Sequence, residues 1–158
     1  MKILVWLAEG TWRAGVDAVR SVPADAEIVL AHVADPALAA GVAAARAGLL
    51  GRGRAPAGGG EAIDPAVEEA ERALLDAALT RLGRPARPLR LRGRADRQVT
   101  AAAADVDLLV VVRDGDHSRL GPHSLAPPTR FVVDHAPCPV LLVWPDRPPA
   151  LDTIAPPP

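Results

Sequence analysis

Residues 113–128 read RDGDHSRLGPHSLAPP and bring together two carboxylates, Asp114 and Asp116, two imidazoles, His117 and His123, and two guanidiniums, Arg113 and Arg119. Three kinds of chemistry would need such side chains. Two histidines and two aspartates could ligate a metal ion, but their spacing matches no motif with a known mechanism. His117 or His123 beside an aspartate could serve a small hydrolase, an activity that nothing else in the sequence supports. Arg113, Arg119 or Arg130 could hold a phosphate or another small anion through side-chain donors. Lys2 is the only lysine, however, so arginine is the default cation of this chain and by itself weak evidence of a site. The reading adopted is a solvated polar loop, with anion binding as the alternative. His135 and Cys138 lie in a second stretch, HAPCPV, three residues apart around a proline. Without an orienting group they make a poor catalytic pair, and Cys138 reads as a small buried apolar side chain. His32, inside an apolar run, reads as a satisfied core or edge histidine.

The elements that must position these residues alternate in type. KILVWL (2–7), EIVLAHV (27–33), DLLVVV (107–112) and VLLVW (140–144) are apolar runs of strand length; KILVWL suits a central parallel strand covered on both faces, and the last run, VLLVW, a strand at one sheet edge. RPLRLR (87–92) alternates apolar and basic, as a strand with one wet face would. Helices are expected over 12–21, with Thr11 or Gly10 as cap and Trp12, Val16 and Val19 on one face; over 37–50; over 65–82; over 96–105; and near 128–136. In the 65–82 helix, Asp64 is placed to cap, Pro65 suits the first position, and Val67, Ala70, Leu74, Ala78 and Leu82 form the apolar stripe. Glu68 and Arg72 are spaced for an i, i+4 ion pair. GRGRAPAGGG (51–60) reads as a flexible internal loop, and the proline-rich residues 146–158 as a disordered tail, leaving one domain over 1–145.

This order predicts an α/β protein: a five-stranded open parallel sheet with helices on both faces. Ligands of such sheets bind at the carboxyl ends of the strands, where the strand order reverses. The candidate loops are therefore 8–11, 33–36, 93–96 and 113–128. A net charge of −1 over 158 residues gives no general attraction for nucleic acid or anionic membrane. One cysteine excludes an internal disulfide. No apolar stretch reaches the roughly 18–20 residues of a membrane span, and MKILVWLAEG reads as a strand, not a signal peptide. The cytoplasm is the expected compartment.

KILVWL, HVADP, LRGRADRQVTAAAADVDLLVVV and above all VVDHAPCPVLLVW (132–144) together resemble the universal stress protein family over roughly residues 2–145. The resemblance implies the adenine-nucleotide-alpha-hydrolase-like fold and a homodimer paired through the last strand, 140–144. Some members bind ATP and others do not. Those that do carry, after the fourth strand, Gly, two residues, Gly, nine residues, Gly and then Ser or Thr. Counted without gaps from HAPCPV, these positions fall on Arg113, Asp116, Ala126 and Pro127, and the family's aspartate after the first strand falls on Ala8. Gly93 matches a glycine common before the third helix. With Gly10 and Val33, these residues make up the degenerate pocket that the resemblance implies.

A phosphate at a helix N-terminus is held by free backbone N–H groups. Proline has none, so Pro127 and Pro128 remove two donors, and Asp114 and Asp116 add repulsive charge. Neither ATP nor any other cofactor is expected, nor a catalytic constellation. The expected role is that of a dimeric stress-response module acting through protein contacts; the alternative is a pocket for another nucleotide or small anion. Trp12, at the start of the first helix, could fill the space that a nucleotide base takes in ATP-binding relatives.

Overall fold

The computed structural model describes residues 1–35 and 65–154. Five strands, β1 (Lys2–Trp6), β2 (Glu27–Ala34), β3 (Arg87–Arg92), β4 (Leu108–Val112) and β5 (Val140–Val143), form one sheet in the order β3-β2-β1-β4-β5. Every neighbouring pair is parallel. The helices are α1 (Trp12–Ala18), α2 (Pro65–Leu82), α3 (Ala95–Ala102) and α4 (Pro127–His135). The expected open parallel α/β sheet is the observed one. The helix expected over 37–50, the loop at 51–60 and the Asp64 cap lie outside the described residues.

Strand alternation divides the core in two. Ile3, Val5, Ile28, Leu30 and Val110 face α1 and α2, meeting Trp12, Val16, Leu75, Ala78 and Leu82. Leu4, Trp6, Val29, Ala31, Leu109 and Val111 face the other way, toward Val99 of α3 and Val132 of α4. The central strands need apolar residues on both sides because both faces are covered. Among the described residues, no helix is long and apolar enough to cross a membrane.

Three features differ from those expected of the sequence. The inward stripe of α2 is Glu71, Leu75, Ala78 and Leu82, while Ala70 is exposed. A carboxylate sits in this stripe because Arg92 clamps it with two hydrogen bonds (2.6 and 2.5 Å) and His32 Nδ1 lies 3.2 Å from its Oε1. Arg72 pairs with Glu69, one turn back, and not with Glu68. The tail is not disordered throughout. Leu151–Thr153 form a 3₁₀ turn, and Leu120 N–H donates to Thr153 Oγ1 at 3.1 Å. Prolines at 145, 148 and 149 restrict the backbone of this segment, so ordering it loses less entropy than composition suggests.

Candidate functional site

The carboxyl ends of the strands gather the residues singled out in the sequence. Ala8 follows β1, and its carbonyl accepts the N–H groups of Thr11 (3.3 Å) and Trp12 (3.0 Å), folding the chain into α1. Gly10 supplies the positive φ of that turn (82°). Val33 is the penultimate residue of β2, packed on the α3–α4 face with Ala8. Gly93 leaves β3 with its N–H on the Ala34 carbonyl (3.1 Å). β1 and β4 are neighbours at the centre of the sheet, so the order reverses between them and the loop after β4 lies beside the switch point.

That loop is built around Asp114. One carboxylate oxygen accepts the Ala126 N–H (2.9 Å) and the other the Thr129 hydroxyl (2.6 Å). Ala126 is the N-cap of α4, and Pro127 and Pro128 are its first two residues. The first turn thus has two positions without N–H, and the donor just before them is taken by a side chain from within the chain. A carboxylate at this end of a helix also meets the positive end of its dipole. Gly115 makes the arrangement possible. Its N–H donates to the Ser124 carbonyl (3.0 Å), and an added Cβ would lie 2.3 Å from the His123 carbonyl oxygen. Asp116 N–H then donates to that same His123 carbonyl (2.8 Å). The Asp116 carboxylate accepts from Ser118, which lowers its pKa. Gly115 and Ser124 were missed in the sequence; a glycine between two aspartates is the only signal that marked the first.

Arg113 continues the sheet, its N–H donating to the Val143 carbonyl (2.9 Å). Its guanidinium donates to the buried Ser124 hydroxyl and lies over the Trp144 ring, 4.6 Å from the centroid. Nε is buried without a partner among the described residues, and burial lowers the pKa of the group. His117 donates from Nε2 to the Arg113 carbonyl (3.0 Å) and meets Trp144 edge-on (5.9 Å between centroids). The indole at this loop is therefore that of Trp144. Trp12, expected as filler of a base pocket, is buried with Val16 and Val19 against the sheet, because Trp12 and Val16 share the inward face of α1 and Val19, its C-cap, continues it.

The remaining candidates do not converge. Asp114, Asp116 and His117 each bond a different backbone or hydroxyl partner, and no cluster of three or more metal-ligating side chains exists among the described residues. Arg130 donates to the Pro122 carbonyl, and Arg119 is exposed. His135 donates from Nδ1 to the Phe131 carbonyl (2.8 Å) and stacks on that ring. Cys138 packs with the α3–α4 core, and burial raises its thiol pKa, which opposes thiolate formation. An open cavity of about 650 Å³ lies against α4, walled by Leu125, Pro127, Phe131 and His135 among others.

An open parallel sheet whose strand order reverses between β1 and β4 defines the class: a doubly wound α/β protein. The sequence matches no protein-family model, and no curated protein sequence matches it. Solved structures do. UspA from Lactobacillus plantarum superposes with a TM-score of 0.55 at 22% identity, over 90% of this chain and 97% of that one. A universal stress protein in complex with cAMP gives 0.59 at 16% identity, over 92% and 98%. A universal stress protein family protein from Arabidopsis thaliana with AMP bound gives 0.52 at 17% identity, over 96% and 94%. The fold of this chain is therefore the universal stress protein fold.

Proposed function

We propose that this chain is a member of the universal stress protein family that does not bind ATP, and that it serves as a cytoplasmic stress-response module through homodimerisation and protein contacts, without catalysis. The observation that carries the reading is the Asp114 carboxylate bonded to Ala126 N–H and Thr129 Oγ1 at the entrance of α4. A phosphate would need the donors that this carboxylate uses, in a turn where Pro127 and Pro128 contribute none. Isothermal titration with ATP and Mg²⁺ tests it. No heat of binding is expected up to millimolar nucleotide, and micromolar affinity refutes the proposal.

The two sheet edges support pairing through β5. The outer strand β3 carries Arg87, Arg90 and Arg92 with Pro88, features that discourage strand addition. The other edge, β5, reads VLLV and leaves Leu141 41% exposed. An apolar, unguarded edge is the one suited to a second copy.

A second reading, a modified pocket for another nucleotide or small anion, is favoured by Arg113. Its guanidinium is half-buried, has no carboxylate partner among the described residues and keeps one N–H unpaired. Two structures of the same fold hold cAMP and AMP. Mass spectrometry of the purified native protein would reveal a retained ligand, and loss of that ligand in Arg113→Ala would favour this reading over the first.

A further inference from the structure

We infer that residues 146–154 form a releasable strap that closes over the loop following β4, latched, among the described residues, by a single hydrogen bond from Leu120 N–H to Thr153 Oγ1 (3.1 Å). The segment leaves β5 at the sheet edge and comes back to the 113–125 loop at the carboxyl end of β4. Its turn is self-braced, since the Thr153 hydroxyl donates to the Ala150 carbonyl (2.6 Å) while accepting from Leu120. Both roles of one hydroxyl are filled, which fixes its orientation. The two large apolar residues of the turn do not hold the strap down: Leu151 is 78% exposed and Ile154 55%. Closure therefore rests on a polar latch and on prolines that limit the alternatives open to the segment, not on burial of Leu151 or Ile154. A single net hydrogen bond shifts such an equilibrium by about five-fold, so the strap opens readily while the sheet stays intact. The inference is independent of whether any nucleotide binds.

The latch lies on the nitrogen of the Arg119–Leu120 peptide bond, a site at which trypsin cuts after an exposed arginine. Limited trypsinolysis of the native full-length chain, with fragments identified by mass, reads opening directly when cleavage is slow relative to reclosing. Thr153→Val, which keeps the side-chain shape and removes the hydroxyl, is expected to raise the cleavage rate at Arg119 about five-fold. Thr153→Ser is expected to restore the slow rate. A chain ending after Asp146, its fold checked by circular dichroism, is expected to be cut at least as fast as Thr153→Val. Equal rates at Arg119 in all four proteins overturn the strap, as does a Thr153→Ser variant as fast as Thr153→Val.

Discussion

Replacing Asp114 by alanine removes the acceptor for both Ala126 N–H and Thr129 Oγ1–H. Thr129 is almost fully buried, and a donor left without a partner there carries its full desolvation penalty, about 1–3 kcal/mol. The Ala126 N–H lies at the end of α4, where losing a capping acceptor costs about 1 kcal/mol. Partial access of water to the loop offsets some of this, giving about 2–3 kcal/mol in all. For a chain of this length each kcal/mol moves the melting temperature by about 2–4 °C, so Asp114→Ala should melt about 5–10 °C below the parent. Asp114→Asn keeps one acceptor oxygen and should lose about half as much. Thermal unfolding followed by far-UV circular dichroism reads both. If Asp114→Ala melts within about 1 °C of the parent, the carboxylate does not hold the helix entrance, and the basis for excluding phosphate from this turn goes with it.

Glu71 is 2% exposed, and although burial pushes its pKa up, the hydrogen bonds from Arg92 and His32 outweigh that and hold it below the ordinary 4.5. A depressed carboxyl pKa contributes stability that is present above the unfolded value and lost as pH falls through the folded one. The parent protein should therefore lose stability below about pH 4.5 more steeply than Glu71→Gln, as measured by urea unfolding at pH 7 and pH 4. At pH 7, Glu71→Gln should itself be destabilised by about 2–3 kcal/mol, less than a fully buried broken pair because Arg92 remains partly in water. Leu141→Lys places a charge on the β5 edge and should convert a homodimer to monomer in light scattering, with an unchanged circular dichroism spectrum. A parent protein that is monomeric at high concentration removes pairing through this edge.

How far the fold could be read in advance follows from how local its signals are. The apolar runs at 2–7, 27–33, 107–112 and 140–144 became β1, β2, β4 and β5 to within one or two residues, and the helix expected over 65–82 became α2. Such signals depend on neighbours a few residues away: an uninterrupted apolar run, an i, i+4 stripe, a glycine or proline stop. The α2 stripe failed at Glu71 because the residues that make its burial tolerable, His32 and Arg92, lie 39 and 21 positions away. At the site, the sequence showed that Pro127 and Pro128 lack donors, since that is a property of the residue itself.

What Asp114 does depended on a loop that returns 12 and 15 residues later to Ala126 and Thr129. Gly115 counted only once the His123 carbonyl arrived where a Cβ would stand. The place of each indole likewise turned on direction: helical phase sends that of Trp12 inward, and the parallel pairing of β4 with β5 sets that of Trp144 beside Arg113. Residue chemistry and local period are written along the chain, whereas the partner of each polar group is set by sheet order, register and side-chain direction, which exist only after the chain has folded.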